Sequence, residues 1–92
     1  MIPIHPGRIL RRELKERGLS ANKLALALRV PSGRITTILN GKRAITPETA
    51  LRLSRYFGNS AQFWINLQTR YYIVVAEREL GKRIDTEVKH VA

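Results

Sequence analysis

The 92-residue sequence has no cysteine, few acids and no long apolar run, and each shortage removes a class of protein. Without cysteine there is neither a disulfide framework nor a thiolate metal site, although the compartment stays open. The only histidines, His5 and His90, lie far apart with no clustered carboxylates, so no metal site or acid–base pair assembles and no cofactor is expected. No nucleophile–base set or carboxylate pair is legible either, which argues against an enzyme. The N-terminal stretch MIPIHPGRILRR carries neither a secretory signal nor a membrane span, so no membrane partner is expected and a cytoplasmic protein is the default. Alternating strand patterns and GXXG loops are also missing, which removes the sheet platforms and loop clamps of common RNA-binding modules.

What the sequence does have is positive charge. Seventeen Lys and Arg against seven Asp and Glu give a formal charge of +10, with a pI near 11.2. Residues 1–58 hold all but one unit of that excess, because only Glu13, Glu16 and Glu48 oppose the basic residues there. A basic field confined to the first two thirds of a small chain is an electrostatic footprint of nucleic-acid binding.

Helix signals follow one another at short intervals, and the chain reads all-α. His5-Pro6-Gly7 starts a first helix with a buried stripe of Ile9, Leu10 and Leu14, stopped by Gly18. Ser20 caps a second, with Leu24, Ala25 and Leu28 inward, interrupted ahead of Pro31. A third runs from about Pro31 to Asn40, with Ile35, Ile38 and Leu39 inward. Thr46-Pro47-Glu48 starts a fourth, with Ala50, Leu53 and Phe57 inward, closed by Gly58. Ser60 caps a fifth that reaches about Leu80. The plan is one domain over residues 1–80 with a helix-turn-helix at about 20–40, and a tail over 81–92 to which no structure is assigned.

The third helix carries the candidate reading surface. Its helical period turns Ser32, Gly33, Thr36 and Thr37 away from the core and sets Arg34 on the flank, and short polar and basic residues near a helix start suit base edges in a major groove. Arg34 is the candidate for a bidentate contact with guanine. Lys42 and Arg43, just past the helix, suit phosphates, and Ser20, Asn22 and Lys23 begin the preceding helix, whose N–H groups offer a phosphate clamp. The fifth helix has more apolar length than four short helices can cover, so Trp64, Leu67, Tyr71 and Val75 are candidates for a homodimer interface. Leu26 is expected to face away from Leu24 and Leu28, and singly exposed leucines need no function.

Residues 4–76 resemble the HigA-type (VapI-type) antitoxins of the Xre/Cro-like repressor superfamily, most specifically in HPG at 5–7, ILNGKRAITPETALRLSRYFG at 38–58 and FWINLQ at 63–68. The resemblance implies a five-helix lambda-repressor-like domain that dimerises, binds a palindromic operator DNA, represses its own operon and neutralises a RelE-like toxin that cleaves messenger RNA. Members often carry Asn where this chain has Gly33, so the operator sequence does not transfer. The alternative is a stand-alone Xre-family repressor of the same fold without a toxin partner.

Overall fold

The computed structural model describes residues 1–91 as five helices: α1 (Pro6–Arg17), α2 (Ala21–Leu28), α3 (Ser32–Leu39), α4 (Pro47–Phe57) and α5 (Ala61–Glu87). There is no strand among the described residues. The starts are set by short polar side chains. His5 Nδ1 accepts from the Gly7 N–H, Ser20 Oγ from Lys23, Thr46 Oγ1 from Thr49 and Ser60 Oγ from Phe63. Each such cap satisfies an orphan N–H and is worth about 1 kcal/mol.

The stops are set by left-handed residues. Gly18 closes α1 at φ 60° and Gly58 closes α4 at φ 79°, as a residue without Cβ allows. α2 ends the same way on Arg29, at φ 58°, which the sequence does not announce. The proline reading of that break therefore misplaces its cause: the chain turns at Arg29, and Pro31 comes after the turn.

The core is formed by one face from each helix. Leu10, Leu14, Leu24, Ala25, Leu28, Ile35, Ile38, Ala50, Leu53 and Trp64 are all buried, and Ile45 joins them from the loop before α4. Ile9 and Leu39, expected inside, are only half-buried at its edge. Trp64 is 0% exposed. Its indole N–H donates to Asn59 Oδ1 at 2.9 Å, and its ring lies 5.9 Å from Phe57 and 5.1 Å from Phe63. It closes the α4–α5 corner from inside, so its place among the dimer contacts is corrected: an enclosed ring has no surface left for a second chain.

α5 also departs from expectation at its far end. Instead of stopping near Leu80 it continues through Gly81 to Glu87, so the assignment of no structure over 81–92 fails for residues 81–87. Gly81 does not adopt positive φ, unlike Gly18, Gly41 and Gly58. Strong helix formers surround it, and Arg83 and Glu87 pair at 3.1 Å one turn apart, which supports the extension by a few tenths of a kcal/mol. Residues 88–91 have no regular structure, and Ala92 lies outside the described residues. The last turns of α5 project from the body. The radius of gyration is 16.0 Å and the longest extent 52 Å, whereas a compact chain of this length has a radius near 12 Å.

Candidate nucleic-acid interface

α3 is anchored from below and bare above. Ile35 and Ile38 are 0% exposed, while Ser32, Gly33 and Thr36 face solvent and Thr37 is half-buried. The helix starts after Pro31, which has no side-chain acceptor, so α3 alone begins without a side-chain cap. The Arg34 N–H bonds the Pro31 carbonyl at 3.0 Å, and the Ser32 and Gly33 N–H groups before it are left for an outside acceptor such as a phosphate or a base edge. Thr36 Oγ1 donates back to the Gly33 carbonyl at 3.2 Å and Thr37 Oγ1 to the same carbonyl at 2.6 Å. With the hydroxyl protons turned into the helix, each threonine oxygen keeps its two lone pairs as acceptors. A Cβ built on Gly33 meets nothing within 4 Å, so this position is open space on the reading face.

Arg34 is placed differently from the sequence expectation. Its Nη1 pairs with Glu48 Oε1 at 2.9 Å, and Glu48 Oε2 accepts from Arg52 Nη2 at 3.3 Å. Arg52 Nη1 in turn donates to the Leu28 carbonyl at the end of α2, at 2.9 Å. The chain Arg34–Glu48–Arg52 thus ties α3, α4 and α2 together. The carboxylate that competes for Arg34 stands in the first turn of α4, where the helix dipole favours an acid. The sequence shows the position of Arg34 along α3 and so suggests a base-reading fork, whereas the proximity of Glu48 is a tertiary fact. In the chain without DNA, Arg34 is not a free fork: its guanidinium is held by Glu48, so that α3 is tied to α4.

Lys42 and Arg43 are exposed, as are Ser20, Asn22 and Lys23 at the start of α2. Two residues set the loop that carries Lys42 and Arg43: His5, read in the sequence only as part of the α1 entry, and Gln68, not singled out there. His5 accepts the Gly7 N–H at 2.9 Å through Nδ1, packs edge-on against Tyr71 at 5.0 Å and hydrogen-bonds the Arg43 backbone. Burial holds its pKa below the ordinary 6.5, with the Arg43 hydrogen bond opposing. From the other side, Gln68 is buried and its Oε1 accepts the Ile45 N–H at 2.8 Å. The signals were there: a histidine directly before Pro-Gly, and a glutamine one turn beyond Trp64 on the inward face of α5. Gly7 shows how tight this joint is, since a Cβ there would run into the Ile38 carbonyl.

Of the remaining fifth-helix candidates, Leu67 packs half-buried against the core, and Tyr71 and Val75 keep part of their surface. The larger exposed apolar groups on α5 include Tyr72 at 54%, Ile73 at 52%, Leu80 and Ile84, with Met1 and Ile2 beside the helix. No helix is long and apolar enough to cross a membrane, and no group of metal-ligating side chains gathers among the described residues.

Two short helices joined by a tight turn, the second presenting an uncapped start and a polar face over a positively charged body, define a helix-turn-helix protein. The comparisons with known proteins agree. Residues 10–64 match the helix-turn-helix family. Virulence-associated protein I of Dichelobacter nodosus is 55% identical over 80 residues, which covers 86% of this chain and 74% of the relative. An addiction module antidote protein of the HigA family from Coxiella burnetii is 50% identical and superposes with a TM-score of 0.95, over 99% of this chain and 100% of the other. The Pseudomonas aeruginosa antitoxin HigA, solved with the higBA promoter, is 43% identical with a TM-score of 0.95 at the same coverage. The chain belongs to the helix-turn-helix family and, within it, groups with the HigA antitoxins.

Proposed function

We propose that this protein is the antitoxin of a toxin–antitoxin pair: a homodimer that lays α3 in the major groove of a palindromic operator, represses its own operon, and neutralises a RelE-like toxin that cleaves messenger RNA. It works by binding, not by catalysis. The observation that carries the reading is the outward face of α3, where Ser32, Gly33 and Thr36 and the uncapped first turn stand bare on a body holding nearly all of a +10 charge. Ser20, Asn22, Lys23, Lys42 and Arg43 hold the flanking phosphates in this arrangement, and base contacts come from Ser32, Thr36 and Thr37. A two-fold dimer then meets half-sites one helical turn apart, about 34 Å.

The names of the structural neighbours, among them HigA and GraA antitoxins, support the antitoxin over the stand-alone repressor, and the two are separable by experiment. Binding isotherms with the duplex upstream of the gene and a scrambled duplex test the operator half: equal affinities would refute it. Co-expression with the product of the neighbouring reading frame tests the toxin half, with co-purification and rescue of growth expected. A neighbour that neither co-purifies nor is neutralised leaves only the repressor.

A further inference from the structure

Three helices end on a left-handed residue, and the choice of residue differs in one of them. α1 and α4 use Gly18 and Gly58, whereas α2 uses Arg29, the one non-glycine residue at positive φ among those described. Glycine is the residue this conformation favours, so an arginine there opposes the local backbone preference. A backbone outlier of this kind points to a use for the side chain. Arg29 is exposed and forms no ion pair among the described residues, and the same holds for Arg55 on α4.

The two arginines flank one groove. Between the end of α2 and the outer face of α4 lies a depression of about 540 Å³, lined by Ala27, Leu28, Leu51 and Tyr56 with Arg29, Arg52 and Arg55. Leu51 is 62% and Tyr56 44% exposed, so the apolar part is open to solvent. Arg52 is spent in part on the Leu28 carbonyl and Glu48, but its buried Nε has no partner. No acid lines the groove.

We propose that this groove docks an acidic amphipathic segment of another protein, with Arg29 and Arg55 taking its carboxylates and Leu51 and Tyr56 its apolar side chains. The charge of the groove selects the sign of the partner, and its apolar floor selects the class. A phosphate backbone would use the arginines and gain nothing from Leu51 and Tyr56, whereas an amphipathic peptide uses both. The site lies beyond the operator and toxin reading above.

The test uses the full chain and its amide NMR spectrum. The probe is a blocked amphipathic peptide of aspartate, leucine and phenylalanine, compared with a counterpart carrying lysine for every aspartate. Shifts are expected at 27–29 and 51–56 with the acidic peptide at millimolar concentration, and not with the basic one. Arg29→Gly is expected to weaken the peptide by about tenfold, through loss of a charge-assisted bond. The same substitution should raise the urea midpoint, because the left-handed position then holds its favoured residue, and leave operator affinity unchanged. Loss of binding in a more stable protein separates use of the side chain from a structural role, and Arg55→Ala should weaken the peptide without touching a cap. The proposal is overturned if no shifts appear at the groove, if the lysine peptide binds as well, or if Arg29→Gly instead weakens operator DNA, which would make the cluster a phosphate contact.

Discussion

At the scale of single residues, the glycines and His5 carry the clearest consequences. Gly7→Ala is expected to destabilise by at least about 2 to 3 kcal/mol, because its new methyl group meets the Ile38 carbonyl, a backbone atom of a packed helix. Gly33→Ala is expected to do the opposite, by about 0.5 to 1 kcal/mol, since open space receives the methyl group and alanine prefers the helix. Urea denaturation of the two variants checks both signs. His5 adds a pH dependence. Its folded pKa lies below 6.5, so the folded chain binds fewer protons here than the unfolded one. Stability from this group is complete above pH 6.5 and is lost as the pH falls toward and through the lower folded value. Protonation also removes the Nδ1 acceptor from the Gly7 N–H. His5→Asn keeps a capping acceptor without titrating. The difference in unfolding free energy between wild type and this variant should therefore shrink or reverse with acidification, and parallel profiles would contradict the assignment.

At the scale of elements, the five helices were legible because each declares itself locally. Ser20, Thr46 and Ser60 mark starts, Gly18 and Gly58 mark stops, and the inward leucines and isoleucines recur at helical spacing. What was not legible depends on partners distant in sequence. Arg34 looks like a free fork from its place on α3, and only the fold brings Glu48 to it across 14 positions. Gln68 lay in the apolar stripe of α5, where its role waits on the Ile45 N–H. The extent of α5 was missed for another reason: residues 81–92 are polar and short of aromatics, yet helix-forming neighbours keep the chain helical through Gly81 to Glu87. These differences change what two substitutions should do. Arg34→Ala should weaken operator and scrambled duplexes together, through a loosened α3, and cost no more than about 1 kcal/mol of stability, as a partly exposed ion pair does. Lys42→Ala should also weaken both, but with the salt slope reduced by about one, because a phosphate contact is lost. Binding isotherms across a salt series distinguish the two, and a change of preferred sequence in Arg34→Ala would restore it as a base reader.

At the scale of the whole molecule, the body is complete without the end of α5, and Tyr72, Ile73, Leu80 and Ile84 are exposed on that helix; the proposed homodimer would cover them. Leu80→Asp combined with Ile84→Asp should leave the melting transition of the body nearly unchanged, because neither side chain is buried in it. The pair should convert a dimer to a monomer in sedimentation and lower operator affinity by about a hundredfold, as half-sites are then bound one at a time. A double variant that stays dimeric would move the interface elsewhere. The partition of charge has one more effect. The first 58 residues hold nearly all of the net charge, whereas the acids and bases of α5 balance four against four. A molecule 52 Å long whose net charge sits toward one end experiences a torque near a polyanion. In the proposed DNA-binding role this asymmetry would turn the basic end toward the duplex and shorten the rotational search before any base is touched.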